Sequence, residues 1–286
     1  MITVSPFIIR ILNRLGVLKI FRVGYFLRIL NTTFKIPILE DKAGFGSHFR
    51  VQEPFILHFL YKQYSHLNFS FLDVGVNIGQ TLLKVKSVSP ECNYIGFEPS
   101  GLCSYYTSRL IKINNIRNAY LIRVALSDTN SIIKLKGFAE GDTRASILPG
   151  FITPANGSYS EVVPTITLDS IKDKIELQYK EVILKIDVEG AEELVLNGAV
   201  EFIKFYSPVI IFENLPHHNK AEKILSQKTL SAFFSANYYT LHLMSENKNI
   251  LIAIEDIENC DDYRKTNFIA IPTGRIENYK SLYSNV

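Results

Sequence analysis

The fold of this chain is decided by the stretch Phe71-Leu72-Asp73-Val74-Gly75-Val76-Asn77-Ile78-Gly79-Gln80. Apolar residues run into an aspartate, and glycines then alternate with an asparagine at two-residue spacing. This pattern predicts a buried strand over residues 69–74 and a tight turn that opens a helix over residues 78–88. Because glycine has no Cβ, such a turn lets the backbone approach a ligand closely.

A single carboxylate follows at the distance that nucleotide-binding α/β folds use. The run Tyr94-Ile95-Gly96-Phe97-Glu98-Pro99 predicts a second short strand over 93–97, and Glu98 closes it 19 positions after Gly79. A carboxylate about 20 residues beyond the glycine turn is where these folds hold the two ribose hydroxyls. The chain is therefore expected to bind an adenosine-containing cofactor.

The class of cofactor follows from what the glycine turn lacks. A dinucleotide site uses G-x-G-x-x-G to make room for a pyrophosphate, and a P-loop ends in Lys-Ser/Thr. The turn D-V-G-V-N-I-G has neither, and instead resembles the first motif of class I S-adenosyl-L-methionine methyltransferases. The alternative is a structural turn with incidental glycines, which Glu98 at the expected distance disfavours.

Charge is distributed unevenly along the 286 residues, whose net charge is +3. Residues 1–50 carry eight Lys or Arg against Glu40 and Asp41, while the remainder carries 23 basic and 26 acidic residues. We predict two parts: a basic N-terminal helical extension over 1–50 and a methyltransferase domain over 51–286. The extension either packs on the domain as a helix pair, the favoured interpretation, or lies against an anionic membrane surface.

Composition limits the remaining classes of function. A hydrophobic fraction of 47% supports a substantial core, and the absence of Lys/Arg-aromatic stripes excludes nucleic acid as the expected partner. Basic residues interrupt every apolar run from Phe7 to Leu30, so neither a signal peptide nor a membrane span is predicted there. Three scattered cysteines suit a reducing cytoplasm, and we expect a cytoplasmic location, with the inner face of the cell membrane as an alternative.

The alternation of helices and strands predicts a doubly wound, mostly parallel Rossmann-like α/β sheet with an antiparallel edge strand. A third strand is expected over 120–126, and an insertion over 131–163 holds a half-exposed strand over 131–137 and a loop over 141–160. Another short strand follows over 162–168, with Asp169 as the N-cap of the next helix. Regular alternation then predicts strands over 181–187, 208–213, 238–243 and 267–271, and helices over 190–204 and 219–235.

A second dense signal is Val182-Ile183-Leu184-Lys185-Ile186-Asp187-Val188-Glu189-Gly190-Ala191-Glu192. In an extended chain Lys185, Asp187 and Glu189 project to one side, at the carboxyl end of a central strand. Charges there are costly unless they pair or bind a ligand. A purely structural ion-pair network and a functional cluster remain equally open at this point.

Taken in order, these segments resemble the FkbM-type methyltransferases, a class I S-adenosylmethionine-dependent family, over about Glu53 to Pro272. The similarity rests on the glycine turn, on Phe97-Glu98-Pro99, on Val124-Ala125-Leu126-Ser127-Asp128, on Thr167-Leu168-Asp169 and on Lys185 to Glu192. The last of these is the family's most specific mark. The resemblance implies O-methylation, usually of a sugar hydroxyl in a glycan or of a natural-product hydroxyl. Val76 departs from the alanine that the family more often has there.

The family match and the physics together assign roles to the cofactor residues. Gly75, Asn77 and Gly79 would approach the methionine part, and Asp73 would orient the turn or the cofactor's amino group. Glu98, followed by Pro99, would hold the ribose. The residues expected to border the adenine, or to bond its amine, end the third strand: Ala125, Leu126, and Ser127 or Asp128.

Catalytic candidates lie at the ends of the two strands expected beside the glycine turn. Asp187 is the first choice of general base, Glu189 the second and Glu213 the third, with Lys185 holding the carboxylates. His217, with His218, would touch the acceptor from a loop. The three carboxylates could also collect Mg²⁺, but no tight D-x-D spacing supports a metal and none is predicted.

The expected activity is therefore O-methylation of a sugar hydroxyl in a polysaccharide or lipid-linked glycan. The alternatives left open are a natural-product O-methyltransferase, a nicotinamide-dependent reductase and a non-catalytic cofactor-binding scaffold. The reductase is disfavoured because the third glycine and a Tyr-x-x-x-Lys pair on a plausible helix are missing.

Overall fold

The computed structural model describes residues 2–15, 23–38, 48, 51–138, 140–142, 145–148, 159–214, 220–245, 249–257 and 266–283. Within them, no helix is long and apolar enough to cross a membrane. The N-terminal part consists of β1 (Ile2–Thr3), α1 (Pro6–Arg14), β2 (Val23–Ile29) and β3 (Thr32–Pro37).

The rest of the chain alternates helices and strands. The first half contains α2 (Pro54–Tyr64), β4 (Ser70–Val74), α3 (Gln80–Val88), β5 (Asn93–Phe97), α4 (Gly101–Ile113), β6 (Ala119–Ile122), β7 (Ala125–Leu126), β8 (Ser131–Gly137), β9 (Tyr159–Ile166) and α5 (Leu168–Ile171). The second half contains β10 (Val182–Ile186), α6 (Glu192–Asn197), α7 (Val200–Tyr206), β11 (Val209–Glu213), α8 (Lys220–Ala236), β12 (Tyr239–Ser245), β13 (Ile250–Ile254), β14 (Asn267–Pro272) and a 3-10 helix (Thr273–Leu282).

The predicted fold class is confirmed by the central sheet, whose eight strands lie in the order β13-β12-β14-β11-β10-β4-β5-β6. The five strands from β11 to β6 are parallel neighbours. β14 runs antiparallel between β11 and β12, and the antiparallel edge strand is β13, which the sequence analysis did not predict. Alternate residues of each central strand feed two apolar clusters: Leu72 and Leu184 belong to one, and Phe71 and Ile183 to the other.

The third predicted strand is divided in two, which corrects the single strand expected over 120–126. β6 pairs with β5 in the central sheet, whereas β7 pairs with β9 in a separate three-stranded sheet, β7-β9-β8. The chain turns between them, where the Val124 amide donates to the Ile122 carbonyl at 3.1 Å. The insertion is therefore a small β-sheet that begins at the carboxyl edge of the large one.

Asp169 is not the N-cap that we predicted. The side chain of Thr167 caps α5 by accepting from the Ser170 amide. The Asp169 carboxylate instead accepts from the amides of Glu201 at 3.0 Å and Phe202 at 2.7 Å, in the first turn of α7. Asp169 therefore ties α5 to α7, and the single helix expected over 190–204 is the pair α6 and α7.

The N-terminal extension is only partly helical, which corrects the predicted helix pair. It contains an antiparallel hairpin over residues 23–29 and 32–37. Among the described residues of the extension, α1 is the one helix. As expected, the extension packs on the domain: Ile9, Tyr25 and Ile36 share a buried cluster with Leu83 and Tyr106 of α3 and α4. Residues 16–22, 39–47 and 49–50 lie outside the described part of the chain.

Candidate functional site

A cavity of about 380 Å³ opens at the carboxyl ends of β4, β5, β10 and β11, where ligands bind in doubly wound sheets. Its volume falls within the range of about 300–1,000 Å³ that is usual for small-molecule sites. Predicted residues that line it are Gly75, Asn77, Glu98, Pro99, Ala125, Leu126, Asp187, Glu189 and Glu213. Lining residues that the sequence analysis missed are Gln52, Glu53, Val74, Ile78, Gln80, Phe97, Ser100, Cys103, Val124, Leu135, Asp142, Ala145, Ile147 and Val188.

A close backbone contact requires glycine at position 75. Its φ is +87°, and a Cβ at this position would lie 1.9 Å from the carbonyl oxygen of Asp187. The two strand ends are held together there, because the Asp187 amide donates to the Val74 carbonyl at 2.9 Å. A side chain at Gly75 would therefore force β4 and β10 apart at the cavity.

Gly79 is not among the described residues that line the cavity, and its predicted approach to the cofactor stays a prediction. It precedes α3 with a φ of +81°, and a Cβ there would meet Leu110 Cδ2 at 3.0 Å. The absence of a side chain serves the packing of α3 against α4.

The Glu98 carboxylate is fixed by the two backbone segments on either side of it. Its Oε2 accepts from the Asn77 amide at 2.7 Å and its Oε1 from the Ser100 amide at 2.8 Å. Burial raises the pKa of Glu98 to about 7, although these amides favour the ionised form. Each oxygen keeps a second lone pair, so Glu98 can still accept from two hydroxyls.

The side of the cavity at β6 and β7 is apolar. Ala125 and Leu126 are buried there and face the same space as Phe97 and Leu135. Ser127, however, is not among the described lining residues. Its hydroxyl donates to Asp128 at 3.2 Å, and the predicted contact of Ser127 or Asp128 with an adenine amine stays a prediction.

A buried ion-pair cluster lies directly behind the glycine turn. Lys185 Nζ is 2.6 Å from Asp187 Oδ2 and 4.0 Å from Asp73 Oδ1. Asp73 is fully buried and also accepts from the Tyr94 hydroxyl. Burial raises the pKa of Asp73 to about 6 against the opposing effect of Lys185.

Asp73 and Lys185 are therefore positioning residues. Neither is among the described residues that line the cavity; Asp73 can orient the turn, and its contact with the amino group of a cofactor stays a prediction. Although burial alone would lower it, the pKa of Lys185 is raised because Asp187, Asp73 and Glu53 surround it. The Lys185 ammonium is thus fixed in its charged state.

Glu53 joins this cluster from outside the predicted site. Its carboxylate accepts from Lys84 Nζ at 2.6 Å, and the same ammonium donates to the Gln52 carbonyl at 3.3 Å. Lys84 is buried, whereas Gln52 and Glu53 line the cavity. The sequence analysis could not predict the pairing of Glu53 with Lys84 from a local pattern, because the two residues are 31 positions apart.

The turn after β10 presents Glu189 in a strained conformation. Glu189 has a φ of +54° and Gly190 one of +97°, and such strain persists only where surrounding contacts fix it. Glu192 Oε1 accepts from the amides of Val188 and Gly190 at 3.3 and 3.1 Å, and the Ser146 hydroxyl donates to the Glu189 carbonyl at 2.8 Å. The insertion and α6 therefore both fix this turn.

Glu213 faces Asp187 and Glu189 from the end of β11. Thr266 Oγ1 donates to its Oε1 at 2.9 Å. Burial, followed by the nearby Asp187 and Glu189 carboxylates, raises the pKa of Glu213 to about 9. The cavity therefore holds Asp187 paired with a cation beside a carboxyl that is neutral at pH 7. His217 and His218 lie outside the described residues.

No group of three or more His, Cys, Asp or Glu side chains is arranged to hold a metal ion within the described residues.

The model of one family, described as the methyltransferase FkbM domain, matches residues 73–244, more than half of the chain. No curated protein matches the chain.

Several solved structures are similar. The FkbM methyltransferase from Methylobacillus flagellatus has 16% identity and a TM-score of 0.47 over 75% of this chain and 47% of that one, so this chain spans about half its length. Precorrin-6y C5,15-methyltransferase from Geobacter metallireducens has 10% identity and a TM-score of 0.40 over 77% and 86% of the two chains. M. jannaschii TYW2, in complex with AdoMet, has 12% identity and a TM-score of 0.37 over 86% and 84%.

Glu213 should make the stability of the protein depend on pH. A carboxyl whose pKa is raised on folding contributes stability below its unfolded pKa of about 4.3, and that contribution is lost as the pH rises through the folded value. Glu213→Gln should leave the free energy of unfolding nearly unchanged at about pH 5 and raise it by roughly 1–3 kcal/mol at about pH 8. Urea unfolding at a series of pH values measures this difference.

The matched control is Glu277→Gln, which removes an exposed carboxylate on the 3-10 helix that pairs with Lys280. The free energy of unfolding of this control should differ from that of the unsubstituted protein by about the same amount at every pH. A Glu213→Gln curve parallel to that of the unsubstituted protein would mean that Glu213 is ionised in the folded state.

Proposed function

The chain belongs to the FkbM methyltransferase family, and we propose that it is an S-adenosylmethionine-dependent methyltransferase that methylates a hydroxyl oxygen. The acceptor that the site suits best is a sugar in a polysaccharide or lipid-linked glycan. S-adenosylmethionine, when bound, supplies an electrophilic methyl group. The family match removes the nicotinamide-dependent reductase from the alternatives.

The proposal is carried by the polarity of one end of the cavity. Strand order places Glu213, Asp187 and Gly75 in sequence along the rim, and Gln52 and Glu53 face the same space. A polyhydroxylated acceptor offers a hydroxyl donor to each carboxylate. A flat apolar acceptor would cover these groups without pairing them, which costs about 1–3 kcal/mol for each unsatisfied group.

The opposite end of the cavity suits the cofactor. Glu98 would accept from the ribose hydroxyls, and Pro99, Ala125 and Leu126 would border the adenine. Gly75 and Asn77, between the two ends, would lie beside the methionine part. This order along the sheet would direct the methyl group toward Asp187.

Asp187 is the proposed general base. Its side chain reaches the cavity while Lys185 holds one carboxylate oxygen at 2.6 Å. The acceptor hydroxyl would donate to Asp187, which takes the proton as the oxygen is methylated. Correct alignment supplies most of the acceleration, and a positioned base adds a factor of about 10²–10⁴.

Glu189 and Glu213 would orient the acceptor. A neutral Glu213 both donates and accepts a hydrogen bond, which suits a hydroxyl next to the one that is methylated. Glu189 faces the same cavity from the turn after β10. A pair of such contacts would select one hydroxyl among the several that a sugar offers.

Transfer of a labelled methyl group tests the class of acceptor. Purified protein with deuteriomethyl S-adenosylmethionine should label the glycan fraction of a cell extract, and linkage analysis by mass spectrometry should find the label on sugar oxygen. Label that enters only the small-molecule fraction would favour the natural-product alternative. Label in neither fraction, with intact cofactor binding, would favour the non-catalytic scaffold and contradict the proposal.

Glu98→Ala should weaken the binding of S-adenosylhomocysteine by roughly 1–3 kcal/mol, because charge-assisted bonds to the ribose are lost. That loss corresponds to about a 5- to 150-fold increase in Kd, which calorimetry measures. Glu277→Ala, at the opposite edge of the sheet, is the control with unchanged affinity. An unchanged Kd in a folded Glu98→Ala protein would disprove the ribose assignment.

Asp187→Asn should lower the rate of methyl transfer to the labelled glycan fraction at least about tenfold. Cofactor affinity should change little, because Lys185 keeps Asp73 and Glu53 as partners. The two measurements are the initial rate of S-adenosylhomocysteine formation and its Kd. The control is Glu201→Gln, an exposed residue of α7; full activity of Asp187→Asn would eliminate Asp187 as the base.

A further inference from the structure

Helix α1 exposes an apolar face that nothing in the described chain covers. Phe7 is 71% exposed and Leu15 67%, and Ile8 and Ile11 are more than two-fifths exposed. Their spacing along the helix places these four side chains on one side. We name them the outward face of α1. Single exposed apolar side chains are common on protein surfaces, but a group of large ones on one face marks an interaction site.

The outward face is held in place from behind. Ile9 is fully buried in the cluster that the hairpin forms with α3 and α4, and Leu12 packs against the same cluster. The Ser5 side chain caps the helix by accepting from the Ile8 amide. The Leu15 amide still donates to the Ile11 carbonyl at 3.0 Å at the other end. The helix therefore presents its apolar face from a fixed position.

The two charged residues of α1 itself are both basic. Arg10 and Arg14 are exposed on α1, and the helical spacing places them along one flank of the outward face. Residues 1–39 contain no Asp or Glu, and their basic residues are Arg10, Arg14, Lys19, Arg22, Arg28 and Lys35. An occupant of this surface must therefore be apolar at its centre and anionic at its margin.

The geometry points to an anionic lipid surface as the occupant, with α1 lying in the plane of the interface. Its apolar side chains would enter the acyl boundary, while the arginine stems stay apolar and their guanidinium groups reach the phosphates. A second copy of this chain fits less well, because residues 1–39 of neither copy offer a carboxylate to the arginines.

Lipid binding would bring the cavity near the membrane. The N-terminal part packs against α3 and α4, whose first turns contribute Gln80 and Cys103 to the cavity. A lipid-linked acceptor would then share a surface with the site that methylates it. The inference itself does not rest on the acceptor, since it follows from α1 alone.

Vesicle sedimentation with the full chain tests the inference. The protein should sediment with vesicles of phosphatidylcholine and phosphatidylserine, and much less with phosphatidylcholine alone, and salt should weaken the binding. Phe7→Ser combined with Ile11→Ser should lower the partition coefficient more than about tenfold. Arg10→Gln combined with Arg14→Gln should lower it about 10- to 30-fold.

Matched controls remove the same groups from another surface. Phe205→Ser deletes an aromatic side chain that is 75% exposed on α7, and Lys174→Gln with Lys204→Gln deletes two exposed charges. Both should bind vesicles like the unsubstituted chain.

The inference is overturned if the full chain does not distinguish the two kinds of vesicle, or if the α1 variants bind as well as the controls. Light scattering separates the remaining case. A dimer that Phe7→Ser dissociates, without vesicle binding, would make the outward face a contact between copies. Cofactor affinity reports separately on the methyltransferase site, so its loss would not be confused with loss of lipid binding.

Discussion

The site depends on the placement of one buried ammonium group, Lys185 Nζ, between two carboxylates. Lys185 and Asp73 are register partners on adjacent parallel strands, and Asp187 is the first residue after the strand that contains the lysine. An unpaired buried charge is strongly destabilising, whereas a paired one is tolerated. The lysine therefore allows Asp73 to stay buried behind the glycine turn and Asp187 to reach the cavity. Removing the lysine would leave the buried Asp73 carboxylate with a charge that the low-dielectric interior cannot solvate.

The close approach of β4 and β10 is the second constraint, and it explains why the glycine turn and the charged strand belong to one site. Gly75 leaves room for the Asp187 carbonyl, and the Asp187 amide is bonded to Val74. These contacts fix the Asp187 backbone without using its side chain. Alignment of a reacting hydroxyl requires fixed partners, so the same contacts that close the sheet also hold the proposed base in place.

The parts of the fold that were predictable from sequence are those encoded within a few residues. Short apolar runs that end in Asp73, Glu98, Asp187 and Glu213 identified four adjacent strands, since parallel strands bring their carboxyl ends to one edge. The pairing of Glu53 with Lys84 was not predictable, because it joins distant segments. The packing role of Gly79 was not predictable for the same reason: the neighbour that crowds a Cβ at this position is Leu110 in another helix. The hairpin over 23–37 did carry a signal, because Val23, Tyr25, Leu27 and Ile29 alternate with exposed or small residues at the period of a strand.

The ion pair with Lys185 holds one oxygen of the Asp187 carboxylate in a fixed position, at 2.6 Å from the ammonium nitrogen. Any carboxylate is a weak base toward a sugar hydroxyl, so it removes the proton efficiently only when the acceptor oxygen is already becoming positive as the methyl group arrives. Proton transfer would then be late, and the main contribution of the site would be alignment. The neighbouring Glu213 is neutral at pH 7 because its pKa is raised to about 9, and it would contribute to the alignment of the acceptor. It adds a hydrogen-bond donor to the cavity without a further negative charge, so Glu213 can orient a polyol while Lys185 holds Asp187 in place.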